Sequence, residues 1–199
     1  YVAYWDLGFA ILDISDLGHP HVVSHTQPYP EKSGGNTHTT LPLPNRNLLV
    51  VSDECTANSC YEGPKYIWIY DIKDETKPKP ISTMPVPKPT SGHSFKTFCE
   101  KGDRFGPHCL HENRNNSMIS SNTIYATYCN AGLRIYDIKD PRKPREKGYF
   151  IPTDPERIID PRPYDREFDI FSGGSRIACT QDVYVDDRGY IYMTDTNAG

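Results

Sequence analysis

Tyr125-Ala-Thr-Tyr-Cys-Asn-Ala-Gly-Leu-Arg-Ile-Tyr-Asp-Ile-Lys-Asp-Pro-Arg-Lys-Pro144 decides how the chain folds, because the sequence repeats it, whole or in part, three more times. Its alternating aromatic and β-branched residues suit a strand, Asn130-Ala131-Gly132 suits a tight turn, and a second strand then runs to a turn rich in Asp and Pro. Moved back without a gap, the stretch covers Tyr1 to Asp16, with Gly8 under Gly132 and Asp13 under Asp137. Moved forward, Tyr125 to Gly132 covers Tyr192 to Gly199. Tyr66-Ile-Trp-Ile-Tyr-Asp71-Ile-Lys-Asp74 keeps the second strand and its turn.

A second pair of segments also repeats. Leu43 to Asp53 lies under Val185 to Asp195, with Arg46 under Arg188. The Asp-Ile-x-Asp signature begins at 13, 71 and 137, so the unit is too long for a hairpin and suits a module of four short strands plus loop insertions. Such modules, at about 40 to 50 residues each, are the blades of a β-propeller. The expectation is therefore an all-β chain forming one propeller region over residues 1–199. Its blade parts fall at 1–26, 36–87, 108–151 and 177–199, about three to four blades' worth. Known propellers need at least four blades to close, so the sequence predicts an incomplete ring, truncated at both ends. Absent propeller segments or a homo-oligomer would cover its open sheet edges.

Composition narrows the function classes. The 199 residues are 36% hydrophobic, and their 18 Pro and 14 Gly interrupt every helical window. No apolar run reaches the length of a helical membrane span. Lys and Arg number 22 against 26 acidic residues, a net charge of −4, which leaves no electrostatic footprint for nucleic acid. Six cysteines, with Cys55 and Cys60 close together and Cys99 and Cys109 close together, suggest two local disulfides and a secreted or periplasmic protein. Six reduced thiols in a cytosolic protein are the alternative. Asn115-Asn116-Ser117 is a glycosylation sequon.

The units Phe9-Ala-Ile-Leu-Asp-Ile-Ser-Asp, Ile67-Trp-Ile-Tyr-Asp-Ile-Lys-Asp and Leu133-Arg-Ile-Tyr-Asp-Ile-Lys-Asp-Pro resemble the LVIVD-repeat β-propeller family. So do Gly106-Pro-His-Cys-Leu-His-Glu112 and Asp182 to Asp195. The resemblance implies a propeller, often exported, and carries over no catalytic residues. At the level of architecture alone the chain is also similar to the selenium-binding protein and methanethiol oxidase propellers, in which histidines hold a metal in the channel.

In a propeller the innermost strands line the central channel, and the loops entering it form the usual ligand face. Thr37-His38-Thr39, Pro107-His108 and Thr180-Gln181-Asp182 stand at matching strand entrances, preceded by Gly34-Gly35, Gly106 and Gly173-Gly174. Glycine there lets the backbone approach the axis. The metal hypothesis takes His38 and His108, with His111 and His93, as ligands for Zn, Cu or Fe. Gln181, Asp182, Glu112 and Arg114 are the polar groups expected to contact a ligand. Against this stands a purely structural role, with the histidines bonding backbone groups at blade junctions. Residues three apart on a strand face opposite sides, so His108 and His111 face inward together only if His108 still lies in the loop. Asp13, Asp71 and Asp137 hold one repeat slot and are expected to form turns. For Asp53-Glu54 and Asp195, turn structure outweighs a calcium or general-base role. Trp5, Tyr61, Phe105 and Tyr128 form an alternative surface for a carbohydrate or an apolar partner, although most such aromatics pack between blades.

The sequence thus predicts an extracytoplasmic propeller that binds a small-molecule or protein ligand at its channel face. A metal-dependent oxidoreductase or hydrolase and a structural assembly module are the alternatives.

Overall fold

A computed structural model describes residues 1–27, 35–158 and 175–198. Gly34, Gly173-Gly174, Gly199 and the 160–165 segment lie outside the described residues. The described chain is almost wholly β, as the repeat implies, with one four-residue α-helix, α1 (Phe98–Lys101), and a 3-10 turn over Pro44–Arg46. Four antiparallel sheets follow in chain order. The first holds β1 (Val2–Ala3), β2 (Phe9–Asp13) and β3 (His21–Thr26). The second is four-stranded, β4 (Thr37–Leu43), β5 (Leu48–Asp53), β6 (Ile67–Asp71) and β7 (Lys79–Thr83), paired in that order. The third has β8 (Thr123–Thr127), β9 (Leu133–Asp137) and β10 (Arg145–Phe150), and Leu110 bridges Ala126 where an inner fourth strand belongs. The last pairs β11 (Thr180–Val185) with β12 (Ile191–Asp195). These are blades of an incomplete propeller.

The second blade shows why blades stack. Every residue of β5, Leu48-Leu-Val-Val-Ser-Asp53, is buried. Side chains alternate along a strand, so Leu49 and Val51 join Phe9 and Ile11 of the first blade on one face. Leu48 and Val50 join Ile124, Ala126, Tyr136 and Ile138 of the third blade on the other. Two cores therefore share one strand. Arg46, in the β4–β5 turn, closes the second of them at one end by donating to Ser121 O, Ile138 O and Lys139 O.

The repeated aspartates do one job. Asp13, Asp71 and Asp137 each accept, through Oδ1, the N–H two residues on, at 2.8, 2.9 and 2.9 Å. This is the Asx turn that ends the third strand of each blade.

The cysteine pairing differs from the local pairs the spacing suggests. Cys60 bonds Cys99 across 39 residues, tying the 54–64 insertion to the loop that carries α1. Cys55 is buried with its thiol on Ala57 O, and Cys109 belongs to the inner segment of the third blade, so neither reaches its neighbour in sequence. No helix among the described residues is long and apolar enough to cross a membrane.

Gly132, in the repeat's turn, has φ +73°, and a Cβ there would stand 2.3 Å from Phe150 O. Gly132→Ala is expected to lower unfolding stability in denaturant by about 1–3 kcal/mol. Gly148→Ala, whose Cβ would meet nothing nearer than Ile135 at 4.0 Å, should change it far less.

Candidate metal centre

One irregularity, repeated in three blades, builds the site. In the second blade Thr37 faces Asp53 and Thr39 faces Ser52, which leaves His38 as an extra residue. In the fourth, Thr180 faces Asp195 and Asp182 faces Thr194, which leaves Gln181. In the third, His108 N donates to Thr127 O and Thr127 N donates to Cys109 O, both at 3.0 Å, so two residues again oppose one. A β-bulge breaks the alternation of side chains and re-aims them. His108 and Cys109 thereby converge on one site, although neighbours on a regular strand point to opposite faces.

The bulges are fixed from the preceding blade. Ser52 Oγ donates to His108 O at 2.6 Å, and Thr127 Oγ1 donates to Gln181 O at 2.8 Å. Ser52 and Thr127 hold the same slot of their blades, and both are fully buried. Gly106 lets the chain pass against Cys55 on its way to His108: a Cβ at 106 would lie 2.4 Å from Cys55 Cβ.

The His38 and His108 rings lie 4.0 Å apart, tilted by 31°. One donor atom from each of His38, His108 and Cys109 falls within 4.8 Å of the others. Hydrogen bonding orients both rings. Gln181 O only accepts, so His108 Nδ1, at 2.7 Å, carries the proton. His38 Nδ1 is hydrogen-bonded to Thr39 Oγ1 at 2.9 Å, which fixes the orientation of the ring. Burial, then the neighbouring His108, holds His38 below the usual histidine pKa, which favours the neutral, ligating form.

Two carboxylates flank these groups. Glu54 Oε1 lies 3.4 Å from both His108 Nε2 and Arg104 Nη1, while Oε2 accepts from Trp5 Nε1 at 3.2 Å. Burial alone would raise Glu54, but the His108 hydrogen bond and the charges of His108, His38 and Arg104 outweigh it and keep the carboxyl below its usual range. Cys109 Sγ lies 3.3 Å from His108 Nδ1, and Asp182 lines the same cleft as the thiol. Burial, reinforced by Asp182 and Glu54, pushes that thiol up to about 12. A cation would reverse this, since a coordinating thiol is deprotonated outright. A cleft of about 570 Å³ opens beside the group, lined by Tyr1, His38, Cys109, Arg114 and Asp182 among others.

Of the residues singled out in the sequence, His38 and His108 come together and Asp182 adjoins them. Gln181 takes part through its carbonyl, while its side-chain amide donates to Cys179 Sγ at 3.1 Å. Glu112 and Arg114 pair with each other at the cleft's exposed rim. His111 is not placed as a ligand. Its Nδ1 accepts from Val185 N at 3.1 Å and its Nε2 donates to Met118 O at 2.9 Å, so both nitrogens are spent on blade packing. His93 is exposed and stacks on Phe95, outside the cluster. Phe105 and Tyr128 belong to an aromatic stack with Phe98 rather than to a binding surface, whereas Trp5 and Tyr61 are exposed. Cys109 and Glu54 were missed as site groups. The available signal was that each directly adjoins a slot already singled out.

Among known proteins, the LVIVD repeat family matches residues 1–26, the segment where the first copy of the repeat was identified. No curated protein matches the chain.

His111→Ala is expected to cost about 2 kcal/mol or more in unfolding stability, because it strips partners from a buried N–H and carbonyl. Stability measured against pH gives a separate check. With its pKa lowered by folding, Glu54 contributes fully above the ordinary carboxylate range, and that contribution disappears as pH falls through its folded value. Glu54→Gln should flatten this acid limb.

Proposed function

We propose that this LVIVD-repeat propeller works in an oxidising, extracytoplasmic compartment, secreted or periplasmic. There it binds one transition-metal ion at its innermost strands through His38, His108 and Cys109, and holds a small polar ligand against it in the adjoining cleft. The observation that carries this reading is the convergence of three donors within 4.8 Å, both imidazoles having their Nδ1 atoms already engaged. Ligating histidines are typically oriented in this way, by a hydrogen bond from the other ring nitrogen to a carbonyl or another polar acceptor. The approach of Glu54 Oε1 to His108 Nε2 supports it further. A proton on His108 Nε2 bridges it to Glu54 Oε1 at 3.4 Å, and a bound cation would take that proton's place. Two imidazoles and a thiolate suit Zn or Cu(I) better than hard, oxygen-seeking ions.

Metal-dependent catalysis, oxidative or hydrolytic, is the second reading, favoured by one feature. Three protein donors beside an open cleft leave a coordination position for water or substrate, as catalytic sites do and closed structural sites do not. Thr39, Glu54 and Asp182 would orient or charge-balance the donors. The Cys60–Cys99 bond is compatible with the proposed compartment.

The test is metal binding by the purified full chain. Zn(II), or Cu(I) under reducing conditions, should bind at one equivalent in competition with a chromophoric chelator. Co(II) should give a thiolate charge-transfer band that Cys109→Ser abolishes. His38→Ala and His108→Ala should lose stoichiometric metal, Thr39→Val should weaken it about 10- to 100-fold, and His111→Ala should keep it. Absence of stoichiometric binding, or equal binding by the His38 and Cys109 variants, would refute the proposal.

A further inference from the structure

Four cysteines remain outside the Cys60–Cys99 bond. Cys55 donates to Ala57 O at 3.3 Å and Cys109 belongs to the metal centre. Cys129 and Cys179 are used by neither, and both are completely buried. They meet at the junction of the third and fourth blades. Cys129 lies in the turn after β8 and pairs with Thr180, whose N–H donates to Cys129 O at 3.1 Å; Cys179 immediately precedes Thr180. Because Cys179 directly precedes the residue bridged to Cys129, the bridge brings both cysteines into one buried junction. Donors surround Cys179 Sγ, with Gln181 Nε2 at 3.1 Å and Arg104 Nη2 at 3.7 Å.

The matching junction between the first and second blades is held differently. There Trp5 occupies the slot of Cys129 and exchanges backbone bonds with Thr37, Trp5 N to Thr37 O at 3.0 Å and Thr37 N to Trp5 O at 3.1 Å. Of these two junctions, only the later carries two buried cysteines behind the bulge.

We propose that Cys129 and Cys179 are joined as a second disulfide, which ties the fourth blade to the third directly behind Gln181. Disulfides form by exchange with an external disulfide such as oxidised glutathione, before the blades close over the pair. The Cys179 thiolate, its proton lost to solvent, attacks one sulfur of the reagent and expels the first reagent thiolate. The Cys129 thiolate then attacks Cys179 Sγ in the mixed disulfide and expels the second. Two protein thiols give up two electrons and two protons, and one reagent disulfide becomes two thiols. The Cys60–Cys99 bond needs the same class of oxidant. This pairing is independent of the metal reading, because Cys109 remains a thiol.

The full chain, folded in a buffer of oxidised and reduced glutathione, is denatured in acid, alkylated with N-ethylmaleimide and weighed intact. Two adducts per chain are expected, on Cys55 and Cys109, rising to six after reduction. Digestion should yield a Cys129–Cys179 linked peptide. Cys129→Ser should give three adducts, with Cys179 newly labelled. The double variant Cys60→Ser/Cys99→Ser should keep two adducts and one disulfide, which separates this bond from the first. Four adducts on the folded wild-type chain, or a bridge from either residue to Cys55 or Cys109, would overturn the proposal.

Discussion

The hydrogen bond from a second-strand hydroxyl to the bulge carbonyl of the next blade is the contact on which the centre of this molecule depends. Ser52 makes it to His108 and Thr127 makes it to Gln181. A bulge leaves a residue outside the strand ladder, with backbone groups that need partners, and a buried unpaired carbonyl is costly. Taking the donor from the neighbouring blade meets that need and fixes the inner strands of adjacent blades relative to one another. The metal centre follows from that, since His108 is held by its own carbonyl through Ser52 and by its ring through Gln181 O.

Apolar packing supplies the mass around this small polar frame. Because β5 is buried on both faces, the second blade cannot shift without disturbing two cores. The inner rim carries groups of the opposite character: Glu54 and Arg104 are buried, and His38, His108 and Cys109 are half-buried beside the cleft. Their ionisation states are mutually set. His108, His38 and Arg104 keep Glu54 below its usual range, and burial, reinforced by Asp182 and Glu54, keeps the Cys109 thiol protonated.

Much of this architecture was legible in the residues. The aspartates at 13, 71 and 137 recur in one slot because one backbone turn recurs, and hydrogen-bonding by a short acidic side chain is a local rule. His38 and His108 were legible as a pair because each opens an inner strand after a glycine. What the sequence hid is the bulge. Nothing in Pro107-His-Cys-Leu110 announces an extra residue, and without it the alternation rule removes Cys109 from the site. The cysteine count misled for a related reason. Proximity along the chain favoured Cys99 with Cys109, whereas the 54–64 insertion folds back so that Cys60 reaches Cys99. His111 attracted attention by its type and position, yet its partners, Val185 N and Met118 O, come from segments whose approach only the folded blades define.

The extra-residue position also separates the frame from the reagent it displays. Three blades present His, His and Gln there on the same backbone detour, each anchored by main-chain atoms that any side chain shares. Exchanging the displayed group leaves the pleat beneath it in phase, whereas deleting that amino acid would make the ladder regular, with the Thr37–Asp53 pair followed directly by Thr39–Ser52, and would remove the display itself. Such a wheel can therefore vary its chemistry by substitution at the extra position, whereas losing that position loses the displayed group while the blade's pairing continues.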